Sequence, residues 1–271
     1  ISQNSLMTAA NGPYVITGYV TVNVGSTLRI EPGTVVKFAR SNSGINVYGT
    51  LDAQGLTPGG TPGGALERIY FTSLYDDTIG GDTNGDNAVS QPNAGYWRYV
   101  NFSGGGSTDS IIDNAEFRYG GYLGSSMVNA NGSSPTIRNS FFKTAQSWAV
   151  QYVNPLGPNT SFTNNKITGV NGLSVAAVNA TLQTMNINSN TVDVTGTGIS
   201  LSNVGLLTER AQVLSNTISG GSYGLVLNEG YYQVANNTIT GTGYKVQIQG
   251  TTDVSYGVNP IDWTTGYSGI G

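Results

Sequence analysis

The chain contains no histidine and no cysteine among its 271 residues. Without these side chains it cannot build a Ser-His-Asp or Cys-His catalytic site, a zinc site with His or Cys ligands, or the ligand set of a haem or an iron-sulfur cluster. Any catalysis has to rest on carboxylates, Lys, Arg, Tyr or a bound metal ion. The lack of cysteine is also compatible with an oxidising extracellular compartment.

Charge is scarce as well. Only 10% of the residues are charged, against about 25% in ordinary globular domains, and the formal net charge is −4. Nucleic-acid binding requires clustered Lys and Arg, and the 11 basic residues are spread along the chain, so we expect no nucleic-acid partner. No stretch approaches the roughly 20 apolar residues that cross a bilayer, so we expect no membrane span. Low charge with abundant Gly, Asn, Thr and Tyr is typical of an extracellular or cell-surface bacterial protein.

A repeat of about 25 residues runs through the C-terminal half. Each copy has an apolar residue, a small, mostly polar residue three positions later and another apolar residue two positions after that. The central positions lie 25, 25, 25, 26 and 21 residues apart, at Ala115, Ser140, Asn165, Asn190, Asn216 and Asn237. A second apolar series keeps a similar period, at Val128, Val150, Val175, Ile199, Leu225 and Val246. A period this short, without a helical rhythm, predicts a solenoid whose coils contain two or three short strands each.

Stacked coils turn equivalent residues into ladders, with about 4.8 Å between neighbouring coils. The asparagines of the repeat can then hydrogen bond from coil to coil, at a bend where Asn tolerates left-handed backbone angles. We therefore interpret them as structural residues. The first apolar position of each repeat is predicted to be buried, at Ile137, Phe162, Ile187, Val213 and Val234.

The N-terminal half carries less regular copies of the same pattern. Its most distinctive segments are residues 24–38, 49–55 and 70–73, followed by 80–86 and 95–97. Together they resemble the opening coils of right-handed parallel β-helix domains in bacterial secreted and surface proteins, the architecture of the pectate-lyase-like superfamily. The resemblance implies an all-β fold with a right-handed parallel β-helix. The repeat length predicts about ten coils over residues 1–271 as a single domain, and local composition predicts a loop at residues 56–65 and an inserted acidic loop at residues 73–94. This architecture hosts pectin-degrading enzymes, adhesins, phage tail spikes and non-catalytic polysaccharide binders.

The acidic loop is the most prominent local signal. Asp76, Asp77, Asp82 and Asp86 fall within eleven residues, and Asn84 lies between the last two. Oxygen ligands at alternating positions are typical of loops that wrap Ca²⁺, although the twelfth position here lacks the glutamate of an EF-hand. A divalent cation would also remove the Coulomb repulsion among the carboxylates. We predict a Ca²⁺ site formed by these five residues; the alternative is a solvated loop without an ion.

Aromatic residues gather around the same loop, at Tyr75, Tyr96, Trp97 and Tyr99. Exposed Tyr and Trp rings offer flat faces for sugars together with a hydrogen-bonding tip. We predict that these four residues bind carbohydrate, and the low charge of the chain favours a neutral polysaccharide. The expected partner is a cell-wall glycan such as cellulose or pectin. The alternative is that the rings only cover the side of the coil.

The residues leave an enzymatic alternative open. The Gly-His-Gly motif of polygalacturonases and the Arg-x-Pro-x-x-Arg setting of pectate lyases are both absent from this sequence. Arg118 and Lys143 occupy equivalent places on adjacent coils near Glu116, where a calcium-dependent lyase could combine cations with a base. The same residues are more typical of a surface salt-bridge ladder, and we predict no catalytic residue.

Three function classes follow from these observations. The first is a non-catalytic extracellular module, with a structural calcium site, that binds polysaccharide or adheres to a surface. The second is a calcium-dependent polysaccharide lyase or hydrolase of the pectin-degrading type. The third is a structural stalk or filament subunit that associates end to end.

Overall fold

The computed structural model describes residues 1–55, 67–156, 160–178, 185–241, 243–256 and 267–268. These residues form a right-handed parallel β-helix of about nine coils with almost no helix. The predicted loop at 56–65 lies outside the described residues. The described helices are short 3-10 turns at Ala9–Asn11, Gly105–Ser107 and Tyr122–Gly124, and none has the length and apolar character to span a membrane.

Each coil contributes one strand to each of three parallel faces, and the strands are numbered in chain order. Face one contains β1 (Ser5–Met7), β4 (Thr27–Ile30), β7 (Thr50–Gln54), β10 (Ile111–Asp113), β13 (Thr136–Arg138), β16 (Thr160–Thr163), β19 (Met185–Asn188) and β22 (Ala211–Leu214). Face two contains β2 (Tyr14–Ile16), β5 (Val35–Phe38), β8 (Ile69–Ser73), β11 (Ala115–Arg118), β14 (Phe141–Lys143), β17 (Lys166–Gly169), β20 (Thr191–Val194), β23 (Thr217–Ser219) and β25 (Thr238–Thr240).

Face three is the third parallel ladder. It contains β3 (Tyr19–Val22), β6 (Gly44–Val47), β9 (Val100–Ser103), β12 (Val128–Asn131), β15 (Trp148–Val153), β18 (Asn171–Ala176), β21 (Thr197–Val204), β24 (Tyr223–Ala235), β26 (Tyr244–Tyr256) and β27 (Tyr267–Ser268). The 13-residue strands β24 and β26 continue from face three into face one, so the two faces merge at the C-terminal coils.

The interior of the solenoid is a set of apolar columns. Ile137 of β13 pairs with Phe162 of β16, which pairs with Ile187 of β19. Val213 and Val234 continue the same column through β22 and β24. All five side chains are buried, as predicted. The equivalent residues of every coil therefore share one environment, which keeps the register fixed.

An asparagine ladder runs along the bend between faces one and two. The side-chain oxygen of Asn190 accepts from the backbone N–H of Asn165 at 2.9 Å, and that of Asn216 accepts from the N–H of Asn190 at 2.9 Å. Asn237 continues the series, accepting from Asn216 at 2.9 Å. Each ladder residue follows one with left-handed backbone angles, as at Asn164 with φ 55°. The structural interpretation of these asparagines is confirmed.

Candidate metal and glycan site

The acidic loop connects β8 to β9 and folds back over the outward side of face two. Lys37 of β5 points outward between the core residues on either side of it, yet its side chain is fully buried. Its ammonium group donates to the carbonyl oxygen of Gly81 in the loop at 2.6 Å. Burial lowers the pKa of Lys37, while the nearby carboxylates of Asp77, Asp76 and Asp82 oppose that shift. Lys37, which the sequence analysis missed, therefore fastens the loop to the coil.

Three of the predicted ligands come together. Asp77, Asp82 and Asp86 each place one carboxylate oxygen within 4.8 Å of the other two. The loop is shaped by Asp82, whose Oδ1 accepts from the backbone N–H groups of Gly85 at 2.8 Å and Asp86 at 3.1 Å. This turn brings Asp86 back beside Asp82 and directs both carboxylates toward Asp77.

Asp77 and Asn84, two of the predicted ligands, have buried side-chain oxygens without a hydrogen-bond partner among the described residues. Both carboxylate oxygens of Asp77 are inaccessible to solvent and accept no hydrogen bond among the described residues. The same holds for Oδ1 of Asn84, whose amide nitrogen donates to Asp86 at 2.7 Å. Buried oxygens without a donor are costly, and carboxylate and amide oxygens are the ligand types that a hard cation takes.

Asp76 lies outside this cluster, which corrects the predicted ligand set. Its fully buried carboxylate accepts from the hydroxyl group of Thr72 at 2.6 Å and from the backbone N–H of Thr78 at 3.2 Å. It also forms an ion pair with Arg118 at 3.4 Å. These partners satisfy the carboxylate, so Asp76 holds the base of the loop against β11.

The expected exposure of Trp97 is wrong. Its side chain is 0% exposed, and its ring stacks on Phe38 with centroids 4.3 Å apart. Its indole N–H donates to the carbonyl oxygen of Arg118 at 2.6 Å. Gly120 makes room for the indole, because a Cβ there would lie 2.7 Å from the ring. Trp97 therefore belongs to the core and offers no face to a sugar.

The other three predicted aromatic residues separate into two places. Tyr75 and Tyr96 contact each other with ring centroids 5.2 Å apart. Tyr99 instead lies beside Tyr19, with centroids 5.9 Å apart, and Arg98 lies over its ring. Only the first pair is therefore associated with the acidic loop.

A pocket of about 300 Å³ opens between the loop and the coil. Tyr75 and Tyr119 line it together with Asp77 and Gln91. Tyr119 follows β11 and was not among the predicted sugar-binding residues. The pocket thus joins aromatic surface to the carboxylate that lacks a hydrogen-bond partner.

Arg118 and Lys143, the two cations considered for a lyase, are both paired with Glu116. Glu116 of β11 is buried and forms ion pairs with Arg118 at 2.7 Å, Lys143 at 2.8 Å and Arg68 at 2.9 Å. Burial alone would raise the pKa of Glu116, but the hydrogen bonds from Lys143 and Arg118 outweigh it and hold the pKa below its usual range. Such a carboxylate is a weak base, so the arrangement favours a structural ion-pair cluster over a lyase site.

Comparisons with known proteins assign this chain to no family. No protein-family model and no curated protein matches this chain. Two solved structures of PfbA, a surface adhesin of Streptococcus pneumoniae, are similar to it. The first is 13% identical over 95% of this chain and 84% of that one, with a TM-score of 0.21. The second is 13% identical over 94% and 89%, with a TM-score of 0.22. Similarity this low assigns no function.

Proposed function

We propose that this protein is a non-catalytic extracellular or cell-surface module that binds polysaccharide and holds a structural Ca²⁺ in its loop at residues 73–94. The observation that carries the proposal is the carboxylate of Asp77, whose two oxygens are buried without a hydrogen-bond donor among the described residues. The carboxylates of Asp82 and Asp86 lie beside it. A cation at this point would give the Asp77 oxygens the partner they lack, and it would remove the repulsion among the three carboxylates.

The ligand chemistry favours Ca²⁺ over a transition metal. The donors are carboxylate and amide oxygens, from Asp77, Asp82, Asp86 and Asn84, and the chain has no His or Cys. Hard oxygen ligands select Ca²⁺ or Mg²⁺, and Ca²⁺ accepts the irregular geometry of a loop more readily. Main-chain carbonyl groups and solvent would complete the shell.

The pocket beside Asp77 favours a neutral glycan. Tyr75 and Tyr119 supply apolar ring surface with phenol tips, and Thr78 and Gln91 supply polar groups for sugar hydroxyls. No basic residue lines the pocket within the part of the chain that the structure describes. Apart from the proposed Ca²⁺, the described lining offers a uronate chain such as pectin no cationic group, so cellulose or another neutral cell-wall glycan is the better fit. A rigid solenoid presents such a chain with an extended surface.

Calcium is expected to raise the melting temperature, and EGTA is expected to lower it, because an ion that binds only the native state stabilises that state by mass action. At a free concentration of about 100 times the Kd, the gain is about 2.7 kcal/mol. The Asp77→Asn and Asp82→Ala variants should lose this response. Differential scanning calorimetry in matched buffers measures it.

The matched control is Asp109→Asn, since Asp109 is an exposed carboxylate outside the loop. This variant should respond to Ca²⁺ as the wild type does. Identical melting curves for the wild type with EGTA and with Ca²⁺ would contradict the metal site.

Tyr75→Ala is expected to weaken retention on insoluble cellulose while leaving the melting temperature nearly unchanged, because Tyr75 lines the pocket and is only partly buried. Binding isotherms on cellulose in Ca²⁺ buffer measure the effect, with Tyr48→Ala as the control at an exposed tyrosine outside the pocket. Unchanged isotherms for Tyr75→Ala would reject the pocket as the sugar site. Release of reducing or unsaturated ends from any pectin or glucan would overturn the non-catalytic assignment.

A further inference from the structure

A second groove lies at the C-terminal coils, where faces two and three meet. Its volume is about 780 Å³, larger than that of the pocket beside the loop. The ends of β17 and β20, the turn after β23 and the first residues of β24 and β26 line it. The acidic loop covers β5 at the other end of the solenoid, so the two cavities are separate.

Glycines make this groove concave. Gly220 has φ +71°, and a Cβ there would lie 2.5 Å from the carbonyl oxygen of Val194. A Cβ on Gly243 would overlap the carbonyl oxygen of Ser222. Both positions therefore require glycine, and the floor of the groove is backbone without side chains.

Two tyrosines form an aromatic wall on one side. Tyr223 pairs in register with Tyr244 on the next coil, and their rings stack with centroids 5.5 Å apart and planes 17° apart. Tyr244 is 43% exposed, and neither ring belongs to the core of the solenoid. The coil does not need these rings for its own packing, so they are free to contact a ligand.

The polar groups of the groove are mostly neutral. Among the described residues Asp193 is the single charged residue that lines it, and Thr168, Thr195 and Ser222 contribute hydroxyl groups. Asp193 is exposed and accepts a hydrogen bond from Ser219 through Oδ1. Its second oxygen can accept from a sugar hydroxyl. Because its described lining has one carboxylate and no basic side chain, the groove disfavours an anionic chain and favours a neutral one.

We propose that this groove is a second, calcium-independent binding site for a neutral glycan chain. Its lining comes from four successive coils, marked by Thr168, Asp193, Ser222 and Tyr244. Three intervals of about 4.8 Å make it roughly 14 Å long, which accommodates several sugar residues in a row. The chain lies along the solenoid axis, with its apolar sugar faces against the tyrosines and its hydroxyl groups toward Asp193. The inference shares only its ligand class with the function proposed above.

The test is isothermal titration calorimetry with cellohexaose, xylohexaose, mannohexaose and maltohexaose in EGTA buffer. The wild type is expected to bind at least one of them. The Tyr223→Ala/Tyr244→Ala double variant should bind it at least about tenfold more weakly, which corresponds to about 1.4 kcal/mol. Asp193→Ala should weaken it in the same direction. Tyr48→Ala, at a tyrosine that is 42% exposed on an early coil, should bind as the wild type does. Melting curves establish that each variant is folded.

Three results would overturn the inference. They are the absence of heat with every neutral hexasaccharide, equal affinity of the double variant and the wild type, and tighter binding of hexagalacturonate than of any neutral chain. The Tyr75→Ala variant distinguishes failure of the groove site from failure of the function proposed above. If cellulose binding depends on Tyr75 and Ca²⁺ but not on Tyr223 and Tyr244, the groove is rejected and the loop site stands. If cellulose binding depends on Tyr223 and Tyr244 but not on Tyr75 and Ca²⁺, the loop site is rejected and the groove is the glycan site.

Discussion

Ile187→Asp is expected to unfold the middle of the solenoid. Ile187 is 0% exposed and stacks between Phe162 and Val213 in the apolar column of face one. A carboxylate there would be buried without a cation or a hydrogen-bond donor, a change that costs more than about 4 kcal/mol. Since small domains are stable by only about 5 to 15 kcal/mol, the variant should lose most of its cooperative β signal in thermal melts followed by circular dichroism.

The control introduces a carboxylate at the neighbouring position 186, whose side chain points outward. Asn186 pairs with Ser161 and Gln212 on the outward side of the same strand, and all three are partly exposed. Asn186→Asp should therefore melt within a few degrees of the wild type. If Ile187→Asp melted at the same temperature as Asn186→Asp, the apolar column would not be the element that holds the coils together.

The sequence predicts the coils well because each coil encodes its own strands and bends. The 25-residue spacing of Asn165 and Asn190 reappears as a direct hydrogen bond between their main chain and side chain. Spacing alone is less accurate where a coil changes length. The predicted series joined Val150 to Val175, whereas the structure pairs Val150 with Leu173. A strand fixes register through its hydrogen bonds, and an average period does not carry that information.

The candidate site was harder to predict, since its contacts are remote in the sequence. The acidic composition of the loop marked a site, but the ion pair that engages Asp76 and keeps it apart from the carboxylate cluster comes from Arg118 of β11. Nothing local reveals that partner, which is about 40 residues away. The sequence did contain a signal for the two tyrosines of the C-terminal groove. Tyr223 and Tyr244 are 21 residues apart, the same as the spacing of Asn216 and Asn237, which places them on one ladder.

Trp97→Ala is expected to lower the free energy of unfolding by about 3 to 5 kcal/mol, the usual cost of removing a large aromatic side chain from a core. The indole fills the space between Phe38 and Gly120, and its N–H satisfies the carbonyl group of Arg118. Because Trp97 lies where the loop returns to the coil, the melting temperature in Ca²⁺ buffer should fall by roughly 10 °C. Denaturant melts followed by circular dichroism measure the change.

Trp97→Phe distinguishes a core residue from a sugar-binding one. It keeps a ring against Phe38, but it removes the hydrogen bond to Arg118 and leaves part of the indole volume empty. We therefore expect a loss of at least about 1 to 3 kcal/mol, from the unsatisfied carbonyl group and the cavity together. Well below its melting temperature, this variant should bind cellulose as the wild type does, because the indole has no exposed face. If either Trp97 variant instead kept the wild-type stability but lost cellulose binding, the ring would have to be exposed in solution. The loop would then open away from Lys37 when it binds a glycan.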